Sequence, residues 1–219
     1  ELITQIRNVL RLKIGESVIF VDGKGNESKA QLTVIKNSHL EFNLIRQIKN
    51  KSESKVRVTI YCSILKRENF EIVAQKVTEV GVNKIVPLIA KRTIKLNLRD
   101  ERIKKIIKEA VEQSGRSTIP DYQEAMIFDS AINSARKEHS INIFFDRCGE
   151  SIVLHKLSLL SKFKKDNSIG IFIGPEGGWT DDEIFKAKIA GFKKLSLGKT
   201  VLRAETAAIV ASYLAVNLI

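Results

Sequence analysis

Two short stretches near the carboxyl end of the chain carry the residue types that could hold a ligand and act on it. The first reads Gly174-Pro175-Glu176-Gly177-Gly178. Three glycines and a proline in five residues make a stiff loop with few side chains in the way, so a ligand can approach the backbone closely. The second runs from Gly198-Lys199-Thr200 through Val201-Leu202 to Arg203-Ala204-Glu205-Thr206 and sets a guanidinium, a carboxylate and a hydroxyl side by side. A fixed guanidinium can stabilise negative charge that develops on a substrate oxygen. A neighbouring carboxylate can orient that cation or accept a proton. The first loop is not a P-loop, because no Gly-Lys-Ser/Thr follows at that spacing, and it is not Gly-x-Gly-x-x-Gly. The plain alternatives are two ordinary tight turns and, at residues 203–206, a helix cap with a salt bridge.

The elements that must position these loops are legible from periodicity. Residues 169–173 form an apolar run that reads as a strand. Thr180 then stands as N-cap of a helix, with Glu183 placed for a capping box, and the first-turn carboxylates suit the positive end of the helix dipole. Gly191 is placed to end that helix in a left-handed conformation. Residues 195–197 give a second short strand, and 207–219 a last helix, apolar nearly all round, which is either core or a dimer interface. Upstream, strands over 56–64, 85–89 and 141–145 alternate with helices over 68–80, 99–114 and 152–160. On the first of these helices Phe70, Val73, Ala74, Val77 and Val80 share a face, and Gly81 ends it. This alternation predicts a parallel sheet with helices on its faces. Ligands of such sheets bind beyond the carboxyl ends of the strands, where both loops fall.

The first 54 residues read differently. Ile3, Ile6 and Leu10 suggest a short opening helix, followed by strands over 17–21, 30–35 and 40–48. The turn Asp22-Gly23-Lys24-Gly25-Asn26 separates the first two strands. Polar residues 49–55 read as a linker.

The chain has 219 residues, 43% hydrophobic and 28% charged, which describes an ordinary globular protein. Its net charge of +12 points to anionic partners, nucleic acid or a membrane surface. Lys91, Arg92, Lys95, Arg99, Arg102, Lys104, Lys105 and Lys108 lie close together against only Asp100 and Glu101; the run is a phosphate-binding surface or simply a solvated helix face. Arg116, just past the second amphipathic helix, could meet a phosphate or serve as a cation at a helix C-terminus. Cys62 and Cys148 are far apart, and His39, His139 and His155 form no cluster with them, so neither a disulfide framework nor a metal site is expected. No apolar run reaches membrane-spanning length, and the cysteine usage favours the cytoplasm.

Taken together, GPEGGWTDDE and LGKTVLRAETA resemble motifs of the SPOUT (trefoil-knot) methyltransferases. Within them they are similar to the bacterial family that methylates N3 of a uridine in small-subunit (16S) ribosomal RNA. Three further stretches share the resemblance, VLRLKIGESVIFVDGKG at 9–25, QKVTEVGVNKIVPL at 75–88 and EQSGRSTIP at 112–120, so it covers nearly the whole chain. It implies an α/β fold: a parallel-sheet methyltransferase domain over 55–219 containing a trefoil knot, preceded over 1–54 by a small β-rich PUA-like barrel that grips RNA. The first segment of that barrel has no counterpart here, the chain opens on Glu1, and Gln5-Ile6-Arg7-Asn8 departs from the family's histidine-containing pattern.

The resemblance implies S-adenosylmethionine as cofactor, bound without metal. Ile173, Gly174, Pro175, Glu176 and Gly177 would form one wall of its crevice, and Leu197, Gly198, Lys199, Val201, Leu202 and Arg203 the other. Arg203, Glu205 and Thr206 become the catalytic candidates. Arg7, Arg11, Lys91, Arg92, Lys104, Lys105 and Arg116 become the RNA-binding candidates. Trp179 replaces the family's more usual phenylalanine and reads first as an anchor beneath the loop. The implied partners are small-subunit ribosomal RNA, free or within an assembled subunit, and a second copy of the chain in a homodimer; no membrane is implied. Two other readings fit the residues: a related enzyme with another RNA target, and a non-catalytic RNA-binding module.

Overall fold

The structure is a computed structural model, and it describes residues 2–49, 53–54, 56–94, 97–151 and 168–217. The expected helix over 152–160, Lys95 and most of the expected linker lie outside the described residues. The chain divides into two compact units, one comprising Glu1–Glu53 with Arg116–Thr118, the other Ser54–Gly115 with Ile119–Ile219.

The smaller unit opens on a short helix, α1 (Leu2–Thr4), that widens into one π-helical turn over Gln5–Val9. Three antiparallel strands follow in the order β1 (Ser17–Val21), β2 (Asn26–Ile35), β3 (Leu40–Lys49). The β1–β2 turn is held by Asp22, whose Oδ1 accepts from the backbone N–H of Lys24 at 2.7 Å and of Asn26 at 3.1 Å. Ile6, Ala30 and Leu32 are the fully buried apolar residues of this unit among those described. Three residues remote in sequence complete it. Gly25 N–H donates to the Ser117 carbonyl at 2.9 Å, and the Arg116 guanidinium reaches the Glu53 carboxylate at 2.9 Å.

The larger unit is built on a sheet whose described strands all run parallel, in the order β10-β8-β9-β4-β5-β6, with β7 also paired to β5. The strands are β4 (Arg57–Ser63), β5 (Lys84–Ile89), β6 (Asp121–Tyr122), β7 (Met126–Ile127), β8 (Ile141–Ser151), β9 (Ser168–Ile173) and β10 (Lys193–Ser196). The helices between them are α2 (Arg67–Val80), α3 (Asp100–Ser114), α4 (Phe128–Glu138), α5 (Asp181–Ile189) and α6 (Ala204–Asn217). Alternate residues of β4 feed opposite cores. Val58, Ile60 and Cys62 pack with Phe70, Val73 and Val77 of α2, Ile103 and Ile107 of α3, and Ala208, Ala211 and Ala215 of α6. Tyr61 faces the other way, with Phe172, Phe144 and Trp179 against α4 and α5. Burial on both faces is why these strands read as near-continuous apolar runs rather than alternating ones.

The helix ends follow local chemistry. Gly81 and Gly115 take φ of 113° and 68° at the C-caps of α2 and α3, and Gly191 takes 81° just past α5. At the start of α5, Thr180 and Glu183 form the expected capping box. Sequence reasoning missed α4, although Phe128, Ala131, Ile132 and Ala135 recur at helical spacing and are all buried. It also ended β8 at Phe145, six residues early. The register between β8 and β10 jumps from Lys194↔Phe144 to Leu195↔Glu150, so residues 145–149 bulge out of the ladder with β10, while Phe145 stays paired with Ile173 of β9. A Cβ at Gly149 would collide with the Leu195 backbone, so the strand's return requires glycine there.

Candidate active site

Because the strands of the larger unit are parallel, their carboxyl ends share one edge. Four connections meet along it: residues 64–66 after β4, 90–93 after β5, 174–180 after β9 and 197–203 after β10. The glycine-rich loop is braced from three sides. Gly178 N–H donates to the Pro175 carbonyl at 2.8 Å, with Gly178 at φ 69°. Beneath it, Trp179 is buried, and its indole N–H donates to the carbonyl of Phe145 at 2.9 Å, a group at the bulge of β8. Gly174 must lack a side chain, because a Cβ there would lie 2.9 Å from Trp179 Cε2. The connection after β5 holds the loop from the other side. Arg92 Nη1 donates to the carbonyls of Gly177 at 2.9 Å and Trp179 at 3.1 Å. Lys91 N–H donates to Glu183 Oε1 at 2.8 Å, while Glu183 Oε2 accepts from Thr180. The Glu176 carboxylate accepts from Lys66 N–H at 3.2 Å and so joins the connection after β4.

The second loop is built in the opposite way. Between Leu197 and Leu202, no N–H or carbonyl makes a backbone–backbone hydrogen bond among the described residues. Gly198 sits at φ 151° with nothing within 4 Å of the position a Cβ would take. Val201 is 76% exposed. Open backbone groups beside apolar side chains suit a ligand that combines a flat apolar body with a hydrogen-bonding edge. These two loops therefore fit an adenosine-bearing cofactor of the expected kind.

Arg203 is exposed, Glu205 half-buried and Thr206 exposed at the start of α6. Their side chains make no hydrogen bond or ion pair among the described residues, so no salt bridge accompanies the helix start there. The Arg203 carbonyl accepts from Ala207 N–H at 2.8 Å and starts the helix. The burial of Cys62 first, then the nearby carboxylates of Glu176 and Glu205, push its thiol well above the ordinary range. Glu176 of the first loop and Glu205 of α6 thus both lie close enough to Cys62, near the carboxyl end of β4, to act on it.

The expected RNA-facing residues divide. Lys91, Lys104 and Lys105 are exposed, the last two beside Glu101 at 3.0 Å and Glu109 at 3.9 Å. Exposed Arg11 holds a positive φ of 50°, and Arg7 donates to Asn37 Oδ1 at 3.1 Å. Two differ. Arg116 is 6% exposed and donates to Glu53, and Arg92, though exposed, donates from Nη1 to two carbonyls of the first loop. Both partners are distant in sequence, so no local pattern announces them.

Two hollows of about 330 and 340 Å³ lie elsewhere. One opens at the amino ends of β8 and β10, lined by His139, Asn142 and Lys193, and the other lies between α4 and α5. Neither touches the carboxyl edge. Among the described residues, no group of three His, Cys, Asp or Glu side chains could hold a metal ion, and no helix is long and apolar enough to cross a membrane.

Comparison with known proteins gives the family and the fold. Residues 52–216 match the family described as RNA methyltransferase domain, and residues 6–45 match the RNA methyltransferase PUA domain. The ribosomal RNA small subunit methyltransferase E of Rickettsia conorii is 32% identical over 94% of this chain and 82% of its own length. The crystal structure of the enzyme of that name from Neisseria gonorrhoeae, bound to S-adenosyl methionine, is 31% identical. It superposes with a TM-score of 0.81 over 96% of this chain and 86% of that one. A methyltransferase from Legionella pneumophila, solved with its cofactor SAM, is 28% identical with a TM-score of 0.81, over 97% of this chain and 87% of its own. On the fold, the loops of the carboxyl edge and the match over residues 52–216, this chain belongs to the RNA methyltransferase family.

Proposed function

We propose that this protein transfers the methyl group of S-adenosylmethionine to N3 of a uridine in small-subunit (16S) ribosomal RNA. One observation carries the reading: a braced glycine loop and an open-backbone loop share one sheet edge, with Arg203, Glu205 and Thr206, whose side chains have no partner among the described residues, at its border. The likeness to relatives that bear that cofactor supports it. Residues 1–54 act as the PUA-like RNA-binding domain and 55–219 as the methyltransferase domain, with the trefoil knot of the resembled family. The cofactor lies between residues 173–177 and residues 197–203. When bound, it supplies a methyl group on a sulfonium centre, ready for a nucleophile.

The chain's own residues supply the rest. Uridine N3 is a nucleophile only once its proton leaves, and the resulting charge spreads over the two flanking carbonyl oxygens. Arg203 stabilises that charge, since a guanidinium stays protonated at any working pH. Glu205 takes the N3 proton or orients Arg203, and Thr206 donates a hydrogen bond to either. The braced first loop keeps the reacting groups at near-attack geometry. Lys91, Lys104 and Lys105, with Arg7 and Arg11 of the smaller unit, meet RNA phosphates. α6, whose Tyr213 is 53% exposed, serves a homodimer interface, and the protein works in the cytoplasm, where its substrate is made.

The test is mass spectrometry of ribosomal RNA nucleosides from cells lacking the protein, with and without complementation. Loss of 3-methyluridine from small-subunit RNA, restored on complementation, is the expected result. Loss of a different modified nucleoside would overturn the target. An unchanged nucleoside profile together with no calorimetric binding of S-adenosylmethionine would overturn the enzyme.

A further inference from the structure

We propose that Arg92 is the positioning residue of the cofactor loop rather than a phosphate contact. The functional half of this inference rests on the reading of residues 173–177 as a cofactor wall. One nitrogen, Nη1, donates to two carbonyls of the loop, Gly177 at 2.9 Å and Trp179 at 3.1 Å. Those carbonyls flank Gly178, the residue at φ 69° that turns the loop. Arg92 therefore holds both sides of the turn. Its aliphatic stem packs there too, since a Cβ on Gly177 would meet Arg92 Cβ at 3.3 Å.

The anchor is itself fixed. Ala90 N–H donates to Thr93 Oγ1 at 2.9 Å and Thr93 N–H to the Ala90 carbonyl at 3.0 Å, which closes residues 90–93 into a tight turn. Lys91 N–H, next in the chain, ties that turn to Glu183 at 2.8 Å. Carbonyls of a glycine-rich loop have little else to hold them, because glycine has no side chain to pack and the largest backbone freedom to lose. A guanidinium also forms stronger hydrogen bonds to carbonyls than a neutral donor does. Arg92 thus reduces the ordering that cofactor binding would otherwise have to supply, which is the way preorganisation raises affinity.

The experiment compares Arg92→Met, which keeps the stem and removes the donors, with Arg92→Lys. Trp179 is the single tryptophan, so its emission and acrylamide quenching report the loop in ligand-free protein. Arg92→Met should make Trp179 more quenchable below the melting transition. It should weaken S-adenosylmethionine binding by about 10-fold, the scale of one or two charge-assisted hydrogen bonds, and raise KM for the cofactor more than it lowers kcat. RNA affinity should stay within about twofold, the effect expected when no phosphate contact is removed. Arg92→Lys, with an ammonium able to reach a carbonyl, should recover part of both losses. Parental quenching in Arg92→Met, or a loss confined to RNA affinity, would overturn the assignment. If the parental protein binds no S-adenosylmethionine, the proposed function fails while the quenching comparison still decides whether Arg92 holds the loop.

Discussion

Replacing Gly174 with alanine tests the architecture of the site with one methyl group. The residue is not among those at positive φ, so alanine adds no backbone strain and the whole effect comes from contact. The added Cβ would lie 2.9 Å from Trp179 Cε2, 3.0 Å from Nε1 and 3.1 Å from Cδ2. Carbon atoms rest at about 3.5–4.0 Å, so the indole or the loop must retreat by roughly half an ångström or more. The indole has little room: it stacks on Phe144 at 4.4 Å, tilts against Phe128 at 5.4 Å and donates to the Phe145 carbonyl at 2.9 Å. Overpacking of a filled core costs about 1–3 kcal/mol. For a chain of this size each kcal/mol shifts the melting temperature by about 2–4 °C, so a fall of about 2–12 °C is expected. If the loop yields instead, the loss appears as weaker binding of S-adenosylmethionine by calorimetry. Gly174→Ala with Trp179→Phe should lose less than the sum of the single changes, because a phenyl ring leaves space the indole does not. A Gly174→Ala protein with parental melting, parental Trp179 emission and parental cofactor affinity would refute the reasoning.

Arg203→Ala should slow single-turnover methylation by about 10²–10³-fold, the scale of losing one preorganised charge donor, with cofactor and RNA affinities changing far less. Lysine there should rescue only partly. Reversing charge at Lys104 and Lys105 should weaken RNA binding and flatten its salt dependence, read by titration at several ionic strengths, while calorimetry with S-adenosylmethionine stays unchanged. His139 gives a pH prediction. Burial lowers its imidazole to about 4, against partly compensating attraction from Glu138, with Lys84 and Arg57 also disfavouring the charged ring. Its Nε2 lies 3.1 Å from the Tyr61 hydroxyl. The folded state keeps the ring neutral where the unfolded chain would protonate it. This stability is therefore present above about pH 6.5 and is lost as pH falls toward 4, by at most about 1.4 kcal/mol per pH unit. Thermal melts of parental protein and His139→Gln between pH 4 and 7 should differ in slope, and parallel curves would refute the point.

What could be read in advance was local. Gly81, Gly191 and the Thr180–Glu183 box act within one turn of chain, and each ends or starts its helix where spacing placed it. That the sheet is parallel was legible too, from the alternation of strands and helices along the chain. The bulge of β8 was not, because it exists only where Gly149 passes the Leu195 backbone of another strand. The same holds for the guanidiniums. Arg92 sits in a basic run and Arg116 on a turn just past a helix, and both read as RNA-facing, yet their partners lie 85 and 63 residues away along the chain. A charge run states how much positive charge a surface carries, and only the fold states which of those side chains are also tied into the structure. The missed α4 is a different failure, because its period was there to be read.

The smaller unit also has a history in time. Glu53 Oε1 accepts from Thr118 N–H at 3.2 Å, across a separation of 65 residues. At the usual pace of about 5–20 residues per second, the ribosome needs roughly 3–13 s between releasing one end of that bond and the other. During that interval the nascent β1–β3 sheet waits without Arg116 to neutralise Glu53 and without Ser117 to receive Gly25. It is finished only after α2, β5 and α3 have been synthesised. A fragment cut at residue 54 therefore freezes the nascent condition and never reaches the completed one, and a peptide spanning residues 116–118 is what such a fragment lacks.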